Sequence, residues 1–186
     1  MQNYKKLNSG QQALTAQQAN KLLSVIPRLD HELLITLAIT TGIRRADIVA
    51  IERSNIDLEH ATLRFYQNKK SNWHTVPLSP AVVQLIQKHL YTAPKSRWLF
   101  PASNIKNHIC SKTAYNHFQN YLDAAGIKQR PFHSLRATCI KLSQQKGWTI
   151  EQVMALTDDS FRTIKEHYDT PSNEEMQEAA KTKSII

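Results

Sequence analysis

The sequence predicts a mainly α-helical domain carrying one small antiparallel β-sheet. Three observations carry this expectation. Apolar residues recur at three- and four-residue spacing through most of the chain between Thr15 and Tyr168, the period of helices with one buried face. A convincing strand pattern occurs in one place, between Thr62 and Leu78. Capping boxes, a Ser-Pro start and stop glycines punctuate the helical stretches.

The elements follow in order. Residues 1–13 are polar and without a structural period, so a loose lead-in or linker remnant is expected there. Thr15-Ala-Gln-Gln18 matches a capping box, and Ala19, Leu22, Leu23 and Ile26 then recur at helical spacing until Pro27 stops them. His31 to Thr40 reads as a second helix, apolar on nearly every side through Leu33, Leu34, Ile35, Leu37, Ala38 and Ile39, hence central; it ends at Thr41-Gly42. Arg45 to Ile51 is a short helix. Thr62–Tyr66 and His74–Leu78 are strands flanking a polar turn.

Ser79-Pro80 sets an N-cap before a proline at the first helical position, opening a helix to about Leu90 with Val82, Val83, Leu85 and Ile86 inward. Trp98-Leu-Phe100 is expected as a small extra strand. Helices follow over Ser111–Ala125, Phe132–Gln145, Ile150–Leu156 and Phe161–Tyr168, with Gly126 and Gly147 as stops. Ser172-Asn-Glu-Glu175 forms another capping box, so a tail helix to about Lys181 is expected, one that need not pack on its own body. The expected divisions are 1–14 as lead-in, 15–170 as the domain and 171–186 as the tail.

The chain has 186 residues, one domain's worth, enough for a proper core. Its formal charge is +9, from 24 Lys and Arg against 15 Asp and Glu, which points to a polyanionic partner. Nucleic acid comes first, because the sequence offers neither a long uncharged apolar run nor a strongly basic amphipathic helix for a membrane. The start lacks the apolar stretch and cleavage site of a signal peptide, so a cytoplasmic location is expected. Cys110 and Cys139 stand in no metal-ligand spacing and read as idle thiols.

Four features carry chemistry. Arg44, in Thr41-Gly-Ile-Arg-Arg45, lies at the start of a helix just beyond an apolar one, where a guanidinium can be held with its fork toward a phosphate. Asn68-Lys69-Lys70-Ser71 forms a basic hairpin tip suited to a DNA groove or backbone, although lysines favour turns in any case. In Phe132-His133-Ser-Leu-Arg136 the three-residue spacing puts a switchable proton carrier and a permanent cation on one helix face. Tyr168 ends a basic, polar helix; in isolation it reads as a packing residue.

Taken in order, Thr-Gly-Ile-Arg44, a hairpin lysine, His133-Ser-Leu-Arg136 and Tyr168 resemble the signature of tyrosine recombinases, the phage-integrase type of DNA strand-transfer enzyme. Ala46-Asp-Ile-Val-Ala-Ile51 is similar to the family's helix after its first arginine, and Thr75-Val-Pro-Leu78 to the strand after its hairpin. The likeness runs from about Thr15 to Tyr168. It implies the integrase catalytic-domain fold and a metal-independent enzyme that uses no small-molecule cofactor. Double-stranded DNA is the implied partner, with a tetramer of protomers meeting on it for recombination or integration, as in mobile elements.

The resemblance also assigns roles. Arg44 and Arg136 grip the non-bridging oxygens, His133 assists proton transfer, and Tyr168 attacks phosphorus to leave a 3′-phosphotyrosyl link. A hairpin lysine protonates the departing 5′ oxygen. Lys69 lies eight residues before Pro77, the family's usual spacing, and is preferred to Lys70. Arg45, Lys70 and Lys165 are expected as DNA-binding cations beside these groups. The segment after the tyrosine docks onto a neighbouring protomer in the family, a role open to the helix from Ser172.

Two departures stand out. The family usually carries Leu-Gly-His, or tryptophan in place of that histidine, nine residues before the nucleophile. Here the stretch is Leu156-Thr-Asp-Asp159, so Asp159 takes the third histidine's place in the catalytic set. An ionised carboxylate there donates no hydrogen bond and repels a phosphate, unless it turns to a basic partner or is held protonated. Lys165, one turn before Tyr168, is a candidate for the missing cation; His167 faces elsewhere. The second departure is that only a dozen polar residues precede Thr15, where most integrases have a core-binding domain. An excised fragment and a naturally short member are both open. The rival readings are a type IB topoisomerase-like nicking-closing enzyme and a non-catalytic DNA-binding relative.

Overall fold

In a computed structural model of the chain, residues 10–168 and 173–182 are described. Helix α1 (Ala16–Ser24) starts as expected: the Thr15 side chain accepts from Gln18 N–H, and the Gln18 side chain accepts from Thr15 N–H. Helix α2 (Leu29–Thr41) begins earlier than the periodicity indicates, behind Arg28, whose guanidinium pairs with Asp30 at 2.8 Å. Helix α3 (Arg45–Val49) is shorter than its apolar run. The sheet consists of β1 (Ile56–Asp57), β2 (Thr62–Gln67) and β3 (Asn72–Pro77).

Helix α4 (Pro80–Thr92) opens with Ser79 capping Val82 N–H, and α5 (Ser111–Ala124) and α6 (Ser134–Gln145) follow. Helix α7 (Ile150–Thr157) carries its own Thr149–Gln152 capping box, and α8 (Phe161–His167) is capped by Ser160. Helix α9 (Asn173–Thr182) closes the described chain. The capping box at Ser172 lies outside the described residues.

Helix α2 is the hub. It contacts α1, α3, α4, α5 and α6, and Leu33, Leu34, Ile35, Leu37, Ala38 and Ile39 are all buried. An all-round apolar helix has no solvent face to keep, which is why it lies at the centre. Each fully buried Leu or Ile contributes roughly 1.5–3 kcal/mol relative to exposure, so truncating Leu37 to Ala costs about 2–5 kcal/mol. A second cluster joins Ala137 and Ile140 of α6 to Val153 of α7, Ile164 of α8 and Tyr168, with Ala13 packed against it.

The sheet is antiparallel in the order β1-β2-β3, with Leu63 opposite Val76 and Phe65 opposite His74. Period-two alternation sends Leu63, Phe65 and Gln67 inward and Arg64 and Tyr66 outward.

Three expectations need correction. Strand β1 was not anticipated; two residues are too short to show a period. Trp98–Phe100 is not a strand: Trp98 makes one isolated bridge to Glu52, and Leu99 and Phe100 are apolar because they are buried. Residues 10–14 are not a loose lead-in. Gly10–Gln12 forms a 3-10 turn, Leu14 is in the core, and its N–H donates to Thr138 Oγ1 at 2.8 Å. Arg130 Nη1 donates to the carbonyls of Gln12 and Ala13 at 2.8 and 2.9 Å. Backbone groups satisfied by distant partners leave no periodic signal in sequence.

Candidate active site

Five chain segments meet where the α2–α3 turn, the β2–β3 hairpin, the start of α6, the α7–α8 link and the end of α8 converge. The turn comes first. Gly42 caps α2 at φ 68°, and a Cβ there would lie 3.2 Å from Thr157 Cγ2. Glycine therefore serves both the left-handed backbone and the close approach of α7. Arg44, two residues on, is the N-cap of α3. Its Nη1 donates to Gln67 Oε1 at 3.0 Å, and Nη2 lies 3.5 Å from Asp159 Oδ1.

Arg136 projects from α6 and is almost wholly buried. Nη1 donates to Gly42 O at 2.6 Å and Nη2 to Thr157 O at 2.5 Å. Asp159 takes the remaining side of the fork, with Oδ2 3.1 Å from Nε and 2.7 Å from Nη2. Two carbonyls and a carboxylate leave this guanidinium one orientation, so the burial cost of the charge is met by named partners.

Tyr168 follows α8, its N–H bonded to Ile164 O at 2.9 Å, with 3% of the residue exposed. Its hydroxyl lies 2.7 Å from His133 Nε2. Burial pushes the phenol above its ordinary value and the Asp159 charge adds to this, while Arg136 and Arg44 pull the other way. His133, the N-cap of α6, keeps a solvent-facing edge. Desolvation first, then the charge of Arg136, holds its imidazole below the usual value against the opposing pull of Asp159. A neutral imidazole with its lone pair on Nε2 accepts the phenolic proton, and two fixed guanidiniums stand ready for an anion. All of these groups come from one chain.

The two hairpin lysines differ. Lys70 Nζ pairs with Asp158 Oδ2 at 2.8 Å and also donates to the Asp158 carbonyl. Lys69 is exposed, forms no ion pair among the described residues, and its charge reaches His133. Arg45 lies half-buried over the Tyr115 ring, 5.3 Å from its centroid. Lys165 is not brought to the cluster as a replacement cation. It is exposed, with Nζ 5.8 Å from the centre of the Phe161 ring, and the charges acting on Tyr168 are those of Asp159, Arg136 and Arg44.

Sequence reasoning missed three supporting residues. Gln67 is the last inward position of β2 and relays Arg44 to Asp158, whose Oδ2 accepts from Gln67 Nε2 at 3.1 Å. A buried amide in an otherwise apolar alternation was the available signal. Asp47, inside the apolar run of α3, accepts from the backbone N–H and side-chain amide of Asn68 at 3.1 and 2.8 Å and so anchors the hairpin. Asp158 caps α7 at φ 54°, a left-handed position held by a non-glycine residue. Cys139 is buried and its thiol is pushed up to about 12, in keeping with an inert core group.

Fold and site together define the class: a tyrosine recombinase catalytic-domain fold. Crystallised XerA recombinase superposes with a TM-score of 0.79 at 17% identity, covering 94% of this chain and 65% of that one. XerH bound to a palindromic difH substrate in a post-cleavage complex gives 0.75 at 17% identity, covering 95% and 53%. A lambda integrase dimer bound to a COC′ core site gives 0.69 at 19% identity, covering 84% and 47%.

The phage integrase family model matches residues 12–174, and the chain belongs to that family. Among curated relatives, tyrosine recombinase XerA of Pyrococcus furiosus is 24% identical over 179 residues, covering 94% of this chain and 62% of that protein. The XerA of Thermococcus onnurineus is also 24% identical, covering 94% and 63%. The chain thus spans a little under two thirds of the length of these relatives. Among the described residues no helix is long and apolar enough to cross a membrane.

Proposed function

We propose that this chain is the catalytic domain of a site-specific DNA recombinase or integrase that cleaves and rejoins DNA through a 3′-phosphotyrosyl intermediate. The observation that carries the reading is the Tyr168 hydroxyl 2.7 Å from His133 Nε2, under the charges of Arg136 and Arg44, within one chain. In the proposed step, Tyr168 Oη forms a bond to the scissile phosphorus and the bond from phosphorus to the 5′ oxygen breaks. The phenolic proton passes to His133 Nε2, and Lys69 supplies a proton to the departing oxygen. Arg44 and Arg136 stabilise the charge that accumulates on the non-bridging oxygens. Asp159 belongs to this set by position, and Arg45, Lys70 and Lys165 are assigned to the DNA backbone.

Because the link conserves the energy of the broken phosphodiester, a 5′ hydroxyl of another strand reseals it. Exchange between duplexes requires four protomers on DNA, and helix α9 with its exposed Met176 is the segment assigned to a neighbouring protomer. The domain assigned from sequence to residues 15–170 is extended to take in residues 10–14, whose Leu14 lies in its core, with 171–186 as the exchanged tail, and the protein is placed in the cytoplasm. The test is a nicked suicide duplex resolved on a denaturing gel, with the relatives' recombination sites among the substrates. Wild type forms a covalent adduct and Tyr168→Phe forms none; equal yield from both removes Tyr168 from its role. Adduct without exchange between two duplex sites favours the nicking-closing reading, and binding without adduct favours a non-catalytic relative.

A further inference from the structure

Four of the five N–H groups of Arg136 are committed to named partners. Gly42 O and Thr157 O hold Nη1 and Nη2, and Asp159 Oδ2 occupies the Nε–Nη2 edge at 3.1 and 2.7 Å. The two carbonyls are main-chain atoms of a turn and a helix end, so they cannot leave. The edge that Asp159 now holds is therefore the part of Arg136 that an incoming anion can take. The other oxygen of the same carboxylate lies 3.5 Å from Arg44 Nη2. One carboxylate thus spans both guanidiniums with one oxygen on each, the arrangement two non-bridging phosphate oxygens would adopt.

We propose that the Asp159 carboxylate is a built-in stand-in for the scissile phosphate. It seats on Arg44 and Arg136 in the free protein, holds them in register, and must leave the Arg136 fork before a phosphodiester is cleaved. The inference rests on the strand-transfer reading and deepens it: Asp159 is a positioning residue that competes with substrate. Its neighbour reinforces the arrangement. Asp158 holds Lys70 directly and Arg44 through Gln67, so the three-residue link between α7 and α8 ties down both arginines and the hairpin tip. The Asp159 carboxylate is 7% exposed, so it is a buried partner of the two arginines and not a surface charge in passing contact. Its negative charge also opposes ionisation of Tyr168, so its departure both frees the anion seat and eases loss of the phenolic proton.

The test begins without DNA, using inorganic phosphate as the anion and calorimetry as the readout. Asp159→Asn keeps the size and the acceptor oxygen but removes the charge; Asp159→His supplies a second neutral variant. Both are expected to bind phosphate at least about tenfold more tightly than wild type, with the gain abolished by adding Arg44→Ala. Ultraviolet titration, differenced against Tyr168→Phe in each background, is expected to show the Tyr168 phenol ionising at lower pH in Asp159→Asn. In wild-type crystals soaked in phosphate, the anion is expected on the Arg136 fork with Asp159 rotated off it. Unchanged phosphate affinity in both variants, or phosphate seated on Arg136 with Asp159 unmoved, overturns the proposal. Suicide-substrate assays on the same proteins keep the two readings apart: tighter phosphate binding with no adduct from any variant, wild type included, refutes strand transfer and leaves the anion seat standing.

Discussion

Gly42→Ala tests the joint dependence of backbone and site on one residue. The left-handed φ of 68° costs an L-residue roughly 1–2 kcal/mol, because its Cβ crowds the following carbonyl oxygen. The new methyl would also lie 3.2 Å from Thr157 Cγ2 and 3.5 Å from both Arg136 Cγ and Cys139 Sγ, in a packed interior where overfilling costs about 1–3 kcal/mol. The combined loss is about 2–5 kcal/mol, which for a domain of this size lowers Tm by roughly 4–20 °C. Gly42→Asn separates the two contributions, since asparagine tolerates the left-handed region but brings the same Cβ; its loss should be the smaller. Chemistry should suffer beyond stability, because Gly42 O and Thr157 O are the carbonyls that orient Arg136. At a temperature well below Tm, single-turnover adduct formation in Gly42→Ala is expected to fall about tenfold, or ~1.4 kcal/mol of transition-state stabilisation. Thermal unfolding by circular dichroism and a quenched-flow gel assay supply the two measurements. A Tm for Gly42→Ala indistinguishable from wild type would refute the reasoning about this turn.

Other outcomes follow from the same geometry. Since His133 titrates below its usual value of about 6.5, it stays neutral below that pH, and adduct formation should decline only as pH drops through the lower folded value; a break above 6.5 in the pH–rate profile contradicts this. His31 is held down to about 4, chiefly by burial, so the unfolded chain takes up its proton first; stability should fall between about pH 6.5 and 4 in chemical denaturation, and less steeply in His31→Gln. Lys69→Ala should lower adduct formation by about 10²–10⁴-fold, and a 5′-bridging sulfur that leaves without a proton should restore it; Lys70→Ala should weaken DNA binding in filter assays without that rescue. Gly10→Ala would set a Cβ 2.5 Å from the Tyr168 carbonyl oxygen, a backbone clash no rotamer relieves, so adduct yield and Tm should both fall, and an unchanged yield would show that the lead-in turn does not position Tyr168.

The sequence by itself determined the helical character, the single sheet and the order of the chemical groups. Capping boxes at Thr15 and Thr149, the Ser79-Pro80 start and the Gly42 stop act within a few residues of themselves, so their meaning survives without a fold. The spacing of His133 and Arg136 likewise fixes their common direction through the helical period alone. What only the tertiary structure decided is who neutralises whom. Asp159 read in isolation is a repulsive substitution, and folded it is the bridge between Arg44 and Arg136. Lys69 and Lys70 are adjacent and chemically alike, yet Asp158 claims one and leaves the other beside His133. Gln67 and Asp47 acquire their tasks from partners more than 20 residues away. Residues 10–14, without any local pattern, are ordered because α6 and Arg130 bind their backbone. Local propensities are set by neighbours along the chain, whereas charge pairing and burial depend on distances in space. Those distances are fixed only once α2 has gathered its surrounding helices around one core.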